Sequence, residues 1–320
     1  MPVFAVIKMT RSEAAEKGVM DRRQRDAGMI QISSQEMRAW IAAAGTRYLR
    51  TRFEQTGQVC QVRLGEGDTF LGEDSRSADK TCGGFGLINE FMPSDQGTYE
   101  AAVSGSRGFL KIGVGVLQRI SADAYSQKKD YPILIQPEIT ESSNDSSYTA
   151  TLIQPDFHGY SYLLGKTVSI ENHELKIRCR LRNTGEKKLS FCEYAHNFYR
   201  LGRNSEARDY RMKCSLTDML PYEKVLRKDK GLLRLLPFTE TSACELMDWK
   251  TEDPQNPFSI ALINPSTGMQ VAETIHAGKV RSSLWCLRDA FCPELIAALD
   301  AEPGTEIQWE RIYTFGQKKQ

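Results

Sequence analysis

From about residue 29 onward, hydrophobic and polar positions alternate mainly with a period of two. In Leu175–Arg182, Leu175, Ile177, Cys179 and Leu181 alternate with Lys176, Arg178, Arg180 and Arg182, the pattern of a half-buried strand. A turn follows at Asn183-Thr184-Gly185-Glu186, and a second strand is predicted over Leu189–Phe198. Gln58–Leu64, after Thr56-Gly57, places Cys60, Val62 and Leu64 on one face and Gln61 and Arg63 on the other. Glu306–Phe315 places Ile307, Trp309, Tyr313 and Phe315 together. Turn signals recur at Gly45, Gly57, Gly72, Gly97, Gly165, Gly185, Gly268 and Gly304. Many short antiparallel strands with frequent turns predict a sandwich or barrel.

The exception to period two is residues 11–27, which read as a short polar helix capped by Ser12 and stopped by Gly28. Its apolar side chains, Ala14, Ala15, Val19 and Met20, are too few to build a core. The expected organisation is therefore a polar helical extension over 1–28 and one large β domain over 29–320. Glu141–Ser147 reads as a hairpin loop and Thr251–Pro257 as another loop, and neither divides the chain.

Composition narrows the function class. Hydrophobic residues are 40% of the 320, charged residues 26%, and 42 basic against 41 acidic residues leave a formal net charge of +1. Such a chain is globular, and it lacks the basic excess of a free-standing nucleic-acid binder. No apolar run reaches the length of a membrane-spanning helix, and Val3–Ile7 is too short for the apolar core of a secretion signal, so cytoplasm is the expected location. The eight cysteines, Cys60, Cys82, Cys179, Cys192, Cys214, Cys244, Cys286 and Cys292, form no CxxC pair and read as reduced core residues. The four histidines, His158, His173, His196 and His276, show no metal-ligand spacing, so no metal or cofactor is expected. Gly113 and Gly115 lack the third glycine and following helix of a phosphate-binding loop, and no GxSxG elbow occurs. Lys224–Lys230 reads as a solvated basic face.

Five segments taken in order remain distinctive: GGFGLINEF (83–91), GFLKIGVGVL (108–117), HGYSYLLGKTVSI (158–170), LRNTGEKKLSFCEYAHNFYRLG (181–202) and FCPELIAALDAEPGTEIQWERIYTF (291–315). Together they resemble the aldose 1-epimerase (galactose mutarotase-like) family over roughly residues 29–316. The resemblance rests on a strand ending in a histidine among aromatics after an N-T-G turn, and on a late Pro293-Glu294 ahead of Pro303-Gly304, Trp309, Tyr313 and Phe315. It implies a mainly β fold, a β-supersandwich of two large antiparallel sheets with a sugar cleft. It implies mutarotation, the exchange of sugar anomers through the open-chain aldehyde by acid and base alone. Glu294 then matches the general base on the C1 hydroxyl and His196 the general acid at the ring oxygen. Lys111 falls where the family carries a sugar-binding arginine, and Glu90, Tyr160, Phe198 and Tyr199 are the other candidate sugar contacts. The partner implied is a small carbohydrate, with neither nucleic acid nor membrane, and a homo-oligomer is left open.

The family's earlier histidine, in an HGG motif, has no counterpart in Tyr125–Glu138. Lys111 and Gln136 are the substitutes nearest in sequence. The missing histidine leaves as one alternative a non-catalytic carbohydrate-binding or regulatory protein on the same fold; a separate alternative is another sugar-active enzyme, a lyase or glycoside hydrolase, with Glu90 and Glu294 as its carboxylate pair.

Overall fold

A computed structural model describes residues 29–74, 83–93, 97–102, 108–215, 226–237, 241–244, 250–251 and 257–318. The helix expected over 11–27 and most of the loop expected over Thr251–Pro257 lie outside the described residues. The fold is mainly β. One sheet runs, in hydrogen-bonded order, Met29–Ser33, Met37–Ala42, Gln58–Leu64, Leu87–Pro93, Leu189–Asn197, Phe291–Ala301, Lys279–Leu287 and Thr241–Cys244, with Lys250–Thr251 also paired to Lys279–Leu287. The second runs Leu226–Asp229, Leu232–Leu235, Arg211–Cys214, Phe258–Ile263, Met269–His276, Glu306–Gln317, Glu174–Asn183, Tyr160–Glu171, Ser147–Phe157 and Glu138–Ser143. Every pairing between neighbouring described strands is antiparallel, as the alternation predicts. A small third sheet, Gly108–Lys111, Gly115–Gln118 and Ile133–Ile135, lies beside a short helix, Gly97–Ala101, that the sequence pattern does not predict. Among the described residues no helix is long and apolar enough to cross a membrane.

The two large sheets share one apolar core. Trp309 packs against Phe91 and Phe191 at ring separations of 6.1 and 6.2 Å, and Phe315 against Phe70 at 5.1 Å. Full burial of each such side chain contributes about 1.5–3 kcal/mol. The second sheet leaves its far face in water, so Glu174–Asn183 keeps clean alternation, with Leu175, Ile177, Cys179 and Leu181 buried. The first sheet is covered on both faces. Leu189–Asn197 is buried at almost every position, and polar residues lie on its inner as well as its outer side. Its outer face carries a smaller apolar cluster that joins Ile88, Phe198, Leu287 and Cys292 to Tyr48, Phe53 and Phe85.

Two local expectations change. The cross-strand register passes from Trp40–Gln61 to Ile41–Val59, so Cys60 is an extra residue on its strand. Such a bulge reverses the side-chain alternation. Cys60 accordingly packs in the outer cluster while Val59 and Val62 pack in the main core, not on the single face predicted for Cys60, Val62 and Leu64. The loop expected over Glu141–Ser147 tightens to a turn closed by Asn144, whose Oδ1 accepts from the Ser146 and Ser147 amides. Cys60, Cys179, Cys192, Cys214, Cys286 and Cys292 are buried free thiols.

Candidate functional site

The first sheet contains an interruption. Strands Leu189–Asn197 and Phe291–Ala301 pair from Leu189–Ala301 to Tyr194–Ile296, and the next pair is the isolated bridge Tyr199–Phe291. The register is the same on both sides of this open stretch. His196 and Glu294 therefore face each other directly across it, in a place where Pro293 has no amide hydrogen to give. His196 Nε2 lies 3.5 Å from Glu294 Oε1, with the side chains 4% and 9% exposed. The imidazole is stacked on Phe198 (ring separation 4.5 Å, 8° between planes) and is met edge-on by Trp285 at 5.0 Å and Phe53 at 5.9 Å. Three rings thus fix the orientation of the imidazole. Burial pushes the Glu294 carboxyl up to about 8, Arg52 opposing the rise and Glu90 adding to it.

Beside this pair lies a charged cluster on the same face. Glu90 stands opposite Tyr194 on the neighbouring strand and is fully buried. Its Oε2 accepts from Tyr194 Oη at 2.5 Å and Arg52 Nε at 2.7 Å, and Lys111 Nζ lies 3.3 Å from its Oε1. Lys111 also donates to Tyr125 Oη at 2.7 Å, and Arg52 Nη2 to Tyr194 Oη at 2.9 Å. Burial alone would raise the Glu90 carboxyl, but Lys111 and Arg52 outweigh it and hold the group below its ordinary range. Two cations around one carboxylate leave a local excess of positive charge. The Arg52 side chain is 26% exposed, against none for Glu90 and Lys111. Lys111 is held by the hairpin between Gly108–Lys111 and Gly115–Gln118, whose turn needs the positive φ of Gly113 (+78°).

The structure thus brings together His196, Glu294, Phe198, Glu90 and Lys111 from the sequence reading. It does not bring in the other two aromatics. Tyr199 is buried on the inner side, where its ring belongs to the main core, because its bridges to Leu71 and Phe291 turn it away from His196. Tyr160 begins a strand of the second sheet and lies under Lys187 Nζ at 5.0 Å from its ring. Gln136 is exposed, and His158 sits at a hairpin tip with φ +56°. Arg52, Phe53, Tyr194 and Trp285 are site neighbours that the sequence pattern does not single out. Tyr194 carries a signal all the same, two residues before His196 and so on the same face of the strand. Arg52 comes from a loop and carries no period.

Neither a family model nor a curated protein matches the chain. Solved structures do. A galactose mutarotase related enzyme from Lactobacillus acidophilus superposes with a TM-score of 0.54 at 12% identity, over 91% of this chain and 100% of that one. A galactose mutarotase-like protein from Clostridium acetobutylicum gives 0.53 at 11% identity (91% and 95%), and one from Lactobacillus casei 0.52 at 12% (90% and 100%). The fold is that of galactose mutarotase-like proteins. On this fold the chain sets a buried carboxyl beside an imidazole, flanked by a cationic cluster and aromatic faces, a candidate functional site.

Proposed function

We propose that this chain is an aldose 1-epimerase-like isomerase that opens and recloses the hemiacetal ring of a sugar. The observation that carries the reading is the His196–Glu294 pair, set opposite one another across the interrupted ladder. At 3.5 Å the two groups are too close to hold a sugar ring between them. They are well spaced to address one carbon, because the C1 hydroxyl and the ring oxygen are both bonded to C1. His196 Nε2 takes the hydroxyl proton while Glu294, protonated at neutral pH, gives its proton to the ring oxygen. The bond from C1 to the ring oxygen breaks and C1 becomes the aldehyde. After rotation about the C1–C2 bond, the ring hydroxyl attacks C1. Glu294 takes back that hydroxyl's proton and the imidazolium returns its own to the new C1 oxygen.

This assignment exchanges the roles that the resemblance implies for the two residues, and its ground is the raised Glu294 carboxyl. Arg52, 26% exposed, supplies donors for ring hydroxyls, and the fully buried Glu90–Lys111 pair anchors it from behind. Phe53 and Trp285 supply apolar faces. An uncharged aldose needs no field from the whole protein to reach such a site, consistent with a net charge near zero. Polarimetry tests the reading: freshly dissolved α-anomers of a panel of aldoses should reach equilibrium rotation faster with the protein than in buffer. Rates equal to buffer across the panel would reject it.

A further inference from the structure

Behind the open stretch of ladder, on the side facing the second sheet, lies a buried ionic network that the proposed chemistry does not use. At its centre is Arg311, on strand Glu306–Gln317 between Trp309 and Tyr313, with a side chain 1% exposed. Its guanidinium crosses the layer between the sheets. Nη2 donates to Glu193 Oε2 at 2.7 Å and to the Leu295 carbonyl at 2.8 Å, Nε to Glu193 Oε1 at 3.2 Å, and Nη1 to Glu273 Oε1 at 2.5 Å. The Leu295 carbonyl is the first beyond the last ladder pair, Tyr194–Ile296. Glu273 in turn accepts from Asn197 Nδ2 at 2.7 Å, and Glu193 from Asn89 Nδ2 at 2.6 Å. Farther along, Lys166 joins Asn89 to Glu54.

Arg311 bonds the carbonyl of Leu295 on one strand and, on the other, Glu193, three residues before His196, while Asn197 joins the network through Glu273. Leu295 follows Glu294, Asn197 follows His196, and Glu193 lies one residue before Tyr194. Resting on the reading of His196 and Glu294 as the acid–base pair, we propose that Arg311 is their positioning residue: its fork spans the gap between the two strands from behind and fixes the separation of the side chains in front. Stability is a poor account of the same network, since exchanging a buried ion triad for neutral residues of similar volume is often neutral or stabilising. A planar fork bonding two strands at once also explains why the position carries arginine and not lysine, which has no such geometry.

The test uses the full chain, with Arg311→Lys, which keeps the charge and loses the fork, and the compensated triple variant Arg311→Met, Glu193→Gln, Glu273→Gln, which leaves no unpaired charge. The first readout needs no sugar: the titration of the His196 imidazole followed by nitrogen NMR. Its midpoint should move by about half a pH unit or more in both variants as contact with Glu294 loosens. The second is anomer exchange, in which kcat should fall about 100-fold with KM changed less than about twofold, the cost of misplacing reacting groups by about 1 Å. Variants that stay folded with the wild-type midpoint and kcat would overturn the positioning role, and so would loss of folded structure in both, which would make Arg311 a stability residue. Wild-type protein without anomer exchange, but with the midpoint shift in the variants, would remove the enzymatic reading and leave the positioning role standing.

Discussion

Glu294→Gln removes a carboxyl that folding has made a tighter proton binder, and the effect is measurable without any substrate. The carboxyl rises from 4.5 to about 8, with burial as the main cause. Between those two values the folded chain keeps a proton that the unfolded chain releases. The native state then binds more protons than the unfolded one, so stability falls as pH rises through this window. Each pH unit well inside it costs about 1.4 kcal/mol, and integration from pH 5 to pH 8 gives about 3.5 kcal/mol. Glu273, raised to about 7 chiefly by burial, slopes the same way, but it is present in both proteins and cancels in the difference. Urea unfolding at pH 5, 6, 7 and 8, extrapolated to water, measures that difference. The variant should gain about 3.5 kcal/mol on the wild type across the series, because a glutamine has no proton to lose. Stability curves that run parallel from pH 5 to pH 8 would refute the assignment of a retained proton to Glu294, and with it the proposed exchange of roles.

Two further outcomes probe the scaffold that holds the site. Lys111→Met leaves the Glu90 carboxylate with one cation instead of two in a fully buried place, so urea unfolding should show a loss of about 3–5 kcal/mol, and adding Glu90→Gln should restore part of it. Gly86→Ala should lower the melting temperature and cost roughly 3 kcal/mol or more, because φ is +59° there and a Cβ would stand 2.0 Å from the Val59 carbonyl oxygen; a melting curve unchanged from wild type would contradict the tight approach of these strands.

Legibility in the sequence followed solvent. The second sheet exposes one face to water, so period two shows through, and the predicted Leu175–Arg182 differs from the observed Glu174–Asn183 by a residue at each end. The first sheet is covered on both faces, so its central strands carry no clean alternation, and the Cys60 bulge that reverses a face leaves no mark in composition. His196 and Glu294 were legible through family motifs, not through periodicity. Their direct contact was not, because it depends on an open stretch of ladder between strands almost a hundred residues apart. Arg311 shows the opposite case. Its place between Trp309 and Tyr313 puts a charge on the apolar face of a strand, an irregularity visible in the sequence. Only the packing of two sheets reveals that its partners are Glu193, Glu273 and the Leu295 carbonyl.

If His196 and Glu294 together move protons at the anomeric carbon, anomer exchange must depend on both. Saturation transfer between the α and β anomeric proton resonances of an aldose at equilibrium tests it most directly, with the wild type, His196→Ala and Glu294→Gln compared at equal concentration. Transfer should run well above buffer for the wild type and return to the buffer rate for each folded variant. Full transfer in either variant, or none in the wild type with any aldose, would contradict it.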